Sequence, residues 1–190
     1  FYQKCIDNNI KPIIGCQIPL KDRLSNHHLG SVVLLCQNIS GYKNLIKLIS
    51  QIHIQKKPNE NPGVTIDQLK QYNENNLLLS GGRTGFLGNN LLIDNSDKII
   101  DLTKRLSDIF QNRMYLQIDR IKAENEDIYN NKIIQISEKL NLPLVATNSV
   151  LFLDRRDFDA HEVRVCINKK IKLDDRINQK EFTEEQYFKS

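Results

Sequence analysis

The chain is poor in the residue patterns that mark several familiar sites. Its four cysteines, Cys5, Cys16, Cys36 and Cys166, lie far apart and form no C-x-x-C pair, so neither a zinc ribbon nor a dithiol redox motif is encoded. They read as buried thiols of a cytoplasmic protein. No apolar run approaches the length of a membrane span, and the visible start has no signal-peptide pattern. No Gly-rich phosphate loop of either standard spacing occurs, which weakens a nucleotide-binding doubly wound fold. No serine stands with a histidine and an acid in a nucleophile-elbow context.

Charge is mild. The net charge is +4, and Lys56-Lys57, Arg155-Arg156 and Lys169-Lys170 are short scattered pairs. That pattern fits a solvated face better than a nucleic-acid track. With 190 residues and 39% hydrophobic content the chain can bury one ordinary core, so residues 1–190 are expected to form a single domain. It begins at Phe1, its only methionine is Met114, and Thr183 to Ser190 reads as the opening of a helix. A fragment cut at both ends is the expectation.

What is present is an alternation of apolar runs and helix-period segments. Ile10 to Leu20 reads as extended, with Pro12 and Gly15 interrupting it. Val32 to Cys36 reads as a buried strand, followed by a helix with apolar positions Tyr42, Leu45, Ile46, Leu48, Ile49 and Ile52. Thr65 and Gln68 form a capping-box signal for a short helix. Leu77 to Leu79 is the next strand and ends in Ser80-Gly81-Gly82. A helix over Ser96 to Phe110, a strand over Met114 to Ile118, a helix over Glu126 to Leu140, a strand over Leu144 to Ala146 and a helix over Asp157 to Ile167 complete the pattern. Strand–helix alternation with continuous apolar strands predicts an α/β fold, a parallel sheet covered by helices and either open or closed into a barrel.

In such folds the working residues lie just past the strand ends, here Gln37-Asn38, Ser80-Gly81-Gly82, Asp119-Arg120 and Asn148-Ser149. Of these only Asp119 is a metal ligand by type, and a hydrolytic metal centre needs three or more converging ligands. Beside Arg120, Asp119 reads more simply as half of an ion pair. His27 and His28 fall in a polar loop and His53 late in a helix. His161 stands four residues after Asp157, a spacing that places them side by side on a helix. The pair reads either as an acid/base or ligand couple or as a helix-start carboxylate stabilising an imidazole.

The strings Ile10-Lys11-Pro12-Ile13-Ile14-Gly15-Cys16, Ser40 to Leu45, Leu79-Ser80-Gly81-Gly82-Arg83, Pro143 to Asn148, Asp159 to Val163 and Glu185-Gln186-Tyr187-Phe188, in that order and spacing, resemble the PHP (polymerase and histidinol phosphatase) domain of the bacterial replicative polymerases of the DNA polymerase III alpha family. The resemblance covers essentially the whole chain. It implies a distorted (β/α)7 barrel, truncated here at its N-terminus so that the first strand and the opening His-x-His motif are missing, and cut before the polymerase palm.

Metal-binding members of the family carry a Glu where this chain has Gln17, a His where it has Ser31, a Cys where it has Gly82, and a closing Asp-x-His pair that falls on Ser149 and Leu151. The resemblance therefore implies a domain that holds no metal, uses no cofactor and has no catalytic residues of its own, inside a cytoplasmic DNA-directed DNA polymerase that itself uses magnesium and binds DNA. The implied role is stability and docking of the proofreading 3'-5' exonuclease subunit, among other holoenzyme subunits, with no membrane partner. Lys56 to Gly63 and Asn168 to Lys180 are candidate contact segments. The alternative is an active metal-dependent phosphoesterase or exonuclease using Asp119, His161 and ligands outside this chain.

Overall fold

A computed structural model describes residues 1–22, 28–91, 96–173 and 181–189, with the side chains of Asn89 and Ser96 left aside. The elements run in the order α1 (Tyr2–Asp7), β1 (Gly15–Lys21), β2 (His28–Cys36), α2 (Ile39–Gln55), α3 (Ile66–Tyr72), β3 (Asn76–Leu79), a 3-10 turn at Gly82–Thr84, α4 (Phe86–Leu91), α5 (Ser96–Phe110), β4 (Met114–Asp119), α6 (Glu126–Leu140), β5 (Leu144–Thr147), a second 3-10 turn at Arg155–Asp157, and α7 (Phe158–Lys169).

The five strands form one sheet in the order β1-β2-β3-β4-β5. It is mixed rather than parallel throughout. β1 runs antiparallel to β2, and β2 antiparallel to β3, with Cys36 opposite Asn76. β3, β4 and β5 are parallel. The expectation of an all-parallel sheet is corrected at β1 and β2. The chain leaves β2 through two helices, α2 and α3, and re-enters the sheet at the end where β2 stopped.

Strand alternation sorts the side chains into two layers. Ile18 and Leu20 of β1, Val32 and Leu34 of β2, Leu78 of β3, and Met114 and Leu116 of β4 are buried on the helix-covered face. They meet Leu45, Leu48 and Ile52 of α2, Leu69 of α3, Phe86 and Leu87 of α4, Leu106 and Phe110 of α5, and Tyr129, Ile133 and Ile136 of α6 in a single core cluster. Two of the six apolar positions of α2, Tyr42 and Ile46, are 41% and 44% exposed.

Helix starts follow their local chemistry. Asn38 accepts the backbone N–H groups of Ser40 and Gly41 at 3.0 Å each and starts α2. Thr65 and Gln68 make the predicted reciprocal capping box of α3. At α6 the N-cap Asn125 makes no side-chain cap; Glu126 accepts from the N–H groups of Ile121 at 2.6 Å and Ala123 at 3.4 Å instead, which fixes the turn after β4.

The helix expected from Thr183 is not formed among the described residues. Its first turn is present, with the Thr183 N–H donating to Gln186 Oε1 at 2.9 Å. It does not propagate, because Tyr187 pairs as a β-bridge with Phe152. The cysteines are corrected as well: Cys166 is buried, while Cys5, Cys16 and Cys36 are only half-buried. Burial nevertheless pushes the Cys16 and Cys36 thiols upward in pKa. No helix among the described residues is long and apolar enough to cross a membrane.

Candidate functional site

The parallel half of the sheet delivers the ends of β3, β4 and β5 to one place. There a cleft of about 290 Å³ is lined by Gly81, Gly82, Arg83 and Thr84 after β3, by Gln117, Asp119 and Ile121 at β4, by Thr147, Asn148, Ser149 and Leu151 after β5, and by Glu181, Phe182 and Gln186. Gly81 and Gly82 turn through the left-handed region, at φ 85° and 64°, a conformation that favours glycine. A Cβ at Gly82 would stand 2.6 Å from Asp119 Oδ2. The turn therefore wraps the carboxylate closely, and only a residue without a side chain fits.

Asp119 is buried and lies opposite Thr147 in the register. Its Oδ1 accepts from the Thr147 hydroxyl at 2.8 Å and its Oδ2 from the Arg83 N–H at 3.1 Å. The Thr147 oxygen in turn accepts from Gln117 Nε2 at 3.1 Å, and Gln117 Oε1 accepts the Gly81 N–H. The result is a hydrogen-bonded loop joining the glycine turn, β4 and β5. Beneath it Asn130 of α6 pairs with the Asp119 backbone in both directions, at 2.8 Å and 3.3 Å, and the fully buried Tyr129 donates its hydroxyl to the Gln117 carbonyl at 2.8 Å. Burial first, and then the charge of Asp119, raise the Tyr129 pKa far above its ordinary value.

The segment at 181–189 forms one wall of this cleft. Leu151 N–H donates to the Gln186 carbonyl at 2.8 Å, Asn148 Nδ2 to the Tyr187 carbonyl at 2.7 Å, and the Thr183 hydroxyl to the Ile121 carbonyl. Glu185 sits among cations, 3.0 Å from Lys122, 3.2 Å from Lys189 and 3.5 Å from Arg155. Hydrogen bonds from Lys122 and then Lys189 hold its carboxyl below the ordinary value of 4.5. A depressed carboxyl stabilises the folded arrangement above its unfolded pKa and loses that effect as pH falls through the folded one. The protection of amides across 181–189, relative to their intrinsic exchange rate at the same pH, is therefore expected to fall below about pH 4.5 and at high salt, and Glu185→Gln to weaken the acid response.

Of the five positions that the resemblance marks as lost ligands, three line the cleft and two lie beside it on β1 and β2. Gly82, Ser149 and Leu151 line the cleft. Ser31 abuts it, since a Cβ on Gly81 would meet the Ser31 carbonyl at 2.5 Å, and Gln17 Nε2 donates to Ser31 Oγ at 2.8 Å from the neighbouring strand. Three other readings are corrected. Gln37 and Asn38 lie at the opposite end of the sheet, because β2 is antiparallel, and Asn38 serves as a helix cap. Asp119 does not pair with Arg120; the latter bonds Asp127 at 3.1 Å on the surface. Asp157 accepts the Asp154 N–H in a capping box, while His161 is buried against the rings of Phe152 and Phe182 and lies 3.8 Å from Glu162.

His53 is exposed on α2, His28 opens β2, and His27 lies outside the described residues. Sequence reasoning missed Gln117, Thr147 and Tyr129; the first two sit in β4 and β5, which end in Asp119 and Thr147, and lie two residues apart in register, which is the signal that could have found them.

A multinuclear metal centre needs several anionic oxygens and imidazoles to offset its charge. The cleft offers an amide at Gln117, hydroxyls at Thr147 and Ser149, apolar surface at Leu151, and Asp119, both of whose oxygens are already engaged. Glu181 at the edge is paired with Lys169. The donor set does not fit such a centre, and no group of three or more His, Cys, Asp or Glu side chains that could hold a metal ion occurs among the described residues.

Comparison with known proteins places these observations. The family model described as the PHP domain matches residues 1–121. The chain is 35% identical over 190 residues to the DNA polymerase III subunit alpha of Haemophilus influenzae and to that of Escherichia coli. It is 33% identical over the same length to that of Pseudomonas aeruginosa. Each match covers 100% of this chain and 16% of the relative, so the chain spans a small part of the length of these proteins.

Proposed function

This chain belongs to the PHP domain family, and from that premise we propose that it is the N-terminal PHP region of a DNA polymerase III alpha subunit, the DNA-directed DNA polymerase of chromosomal replication. In this reading the region is a metal-free, non-catalytic module. It stabilises the polymerase and docks the proofreading 3'-5' exonuclease subunit, while the polymerase domains outside this chain bind DNA and use magnesium. The described sheet would form part of a (β/α)7 barrel completed by chain outside these residues.

One observation carries the non-catalytic reading. At the ends of β3, β4 and β5, where an α/β fold keeps its chemistry, Asp119 accepts from Thr147 and the Arg83 N–H, and the cleft's other carboxylate among the described residues, Glu181, is paired with Lys169, so the several anionic and imidazole ligands of a multinuclear centre do not converge there. The alternative, a metal-dependent phosphoesterase, draws on Asp119 and His161 as ligands. His161 is packed between aromatic rings and is not among the residues lining the cleft.

The test is the metal content of the full-length polypeptide that carries this chain, by elemental analysis after incubation with zinc and manganese and thorough desalting. Less than one retained metal per chain is expected, together with no metal-dependent hydrolysis of phosphoester bonds. Retention of two or three metals would overturn the reading and leave the phosphoesterase in its place.

A further inference from the structure

Helix α2 carries more apolar surface than the domain uses. Its core side is Gly41, Leu45, Leu48 and Ile52, all buried. A second stripe rises from Ile39 through Tyr42 and Ile46, which are 67%, 41% and 44% exposed, to the half-buried Ile49. Their spacing alternates three and four residues, the spacing that keeps a seam facing a partner helix over several turns. At roughly 100° per residue, Ile39, Tyr42 and Ile46 fall within a single narrow arc, well away from the core side.

Charge along this helix has one sign. α2 contains no Asp or Glu, and the exposed Lys43 and Lys47 border the stripe. Exposed Lys56 and Lys57 follow at its C-terminal end. A helix that had evolved only to be solvated would be expected to mix signs through i,i+4 pairs. Here the apolar seam is flanked by cations that the helix itself leaves unmatched.

The geometry points to α2 as a docking face for an amphipathic helix of another protein, with its apolar seam laid on Ile39, Tyr42 and Ile46 and its carboxylates facing Lys43 and Lys47. A second copy of this chain is disfavoured as the occupant, because it would bring lysines against lysines across the same seam. This inference stands on the surface of α2 and is independent of the metal content of the cleft.

The experiment uses the full-length polypeptide and two designed helices of about 21 residues. Both carry the same Leu/Ile seam, one flanked by Glu and the other by Lys, and binding is followed by fluorescence anisotropy. The Glu-flanked probe is expected to bind and the Lys-flanked probe to bind at least about tenfold more weakly. Ile46→Ser is expected to weaken the Glu-flanked probe by about tenfold or more, and Lys43→Glu with Lys47→Glu to exchange the two preferences. All three positions are exposed, so the variants should keep the wild-type melting temperature.

Equal binding of the two probes, binding of neither, or unchanged preference in the charge-reversed variant would each overturn the assignment. So would self-association of the wild type that Ile46→Ser abolishes, or binding to anionic phospholipid vesicles that the same variants lose, since the occupant would then be a second copy or a lipid surface.

Discussion

Replacing Tyr129 with Ala is expected to lower the stability of the folded domain by about 4 kcal/mol. Tyr129 is fully buried and, among the described residues, is the largest core side chain with no exposed surface. It packs α6 onto β4 while its hydroxyl donates to the Gln117 carbonyl at 2.8 Å. Removing the ring leaves a cavity under the strand that presents Gln117 and Asp119.

Tyr129→Phe keeps the ring and deletes only the hydrogen bond, so about 1 kcal/mol is expected. The two variants also differ from wild type in alkali. The unfolded tyrosine ionises near 10.0, and the folded one is held neutral well beyond that by burial and by the charge of Asp119. The stability this group contributes is present below the unfolded pKa and is lost as pH rises beyond it, by about 1.4 kcal/mol per pH unit. Tyr129→Phe should flatten the alkaline stability profile by that slope. Unfolding midpoints in urea from pH 8 to 11 would show it; identical slopes in wild type and variant would refute it.

Much of this arrangement was written in local signals. The 3.6-residue period of residues 126–140, the T-x-x-Q start of α3 and the apolar runs of β3, β4 and β5 each give their element its type and nearly its bounds. Direction was not legible. An apolar strand followed by a helix reads as a parallel βα unit, and nothing in Val32 to Cys36 says that α3 will bring the chain back to the same end of the sheet.

Pairings were misread where adjacency in sequence stood in for adjacency in space. Successive residues of a strand point to opposite faces, so Asp119 could face the cleft only if Arg120 did not. The spacing of Asp157 and His161 suits a helix, but Asp157 falls in the turn before α7 and caps Asp154 instead. Short pieces were missed for a different reason: α4 is held by tertiary burial of Phe86 and Leu87 rather than by periodicity.

Asp119→Ala is expected to cost about 3 kcal/mol, and Asp119→Asn clearly less. Alanine leaves the Arg83 N–H and the Thr147 hydroxyl without their acceptor in a buried site. It also unlinks the loop of bonds that runs through Gln117 to the Gly81 N–H. Asparagine keeps one acceptor oxygen and turns an N–H₂ toward the other partner. Thr147 can rotate to accept it, whereas the Arg83 N–H cannot, so the amide will settle with its oxygen toward Arg83.

Loss of the carboxylate charge also removes one of the two causes that raise the Tyr129 pKa. Asp119→Asn should therefore bring ionisation of the folded tyrosine to lower pH than in wild type, and the shift should vanish in combination with Tyr129→Phe. Midpoints of unfolding with and without zinc or manganese separate a structural Asp119 from a ligand. A metal held by the folded state raises its stability by mass action. The wild-type midpoint is expected to be the same in either condition, because Asp119 has no imidazole or second unpaired carboxylate beside it among the described residues to complete a coordination shell. A metal-dependent rise that Asp119→Asn removes would show instead that the hydrogen bonds of Asp119 yield to a cation.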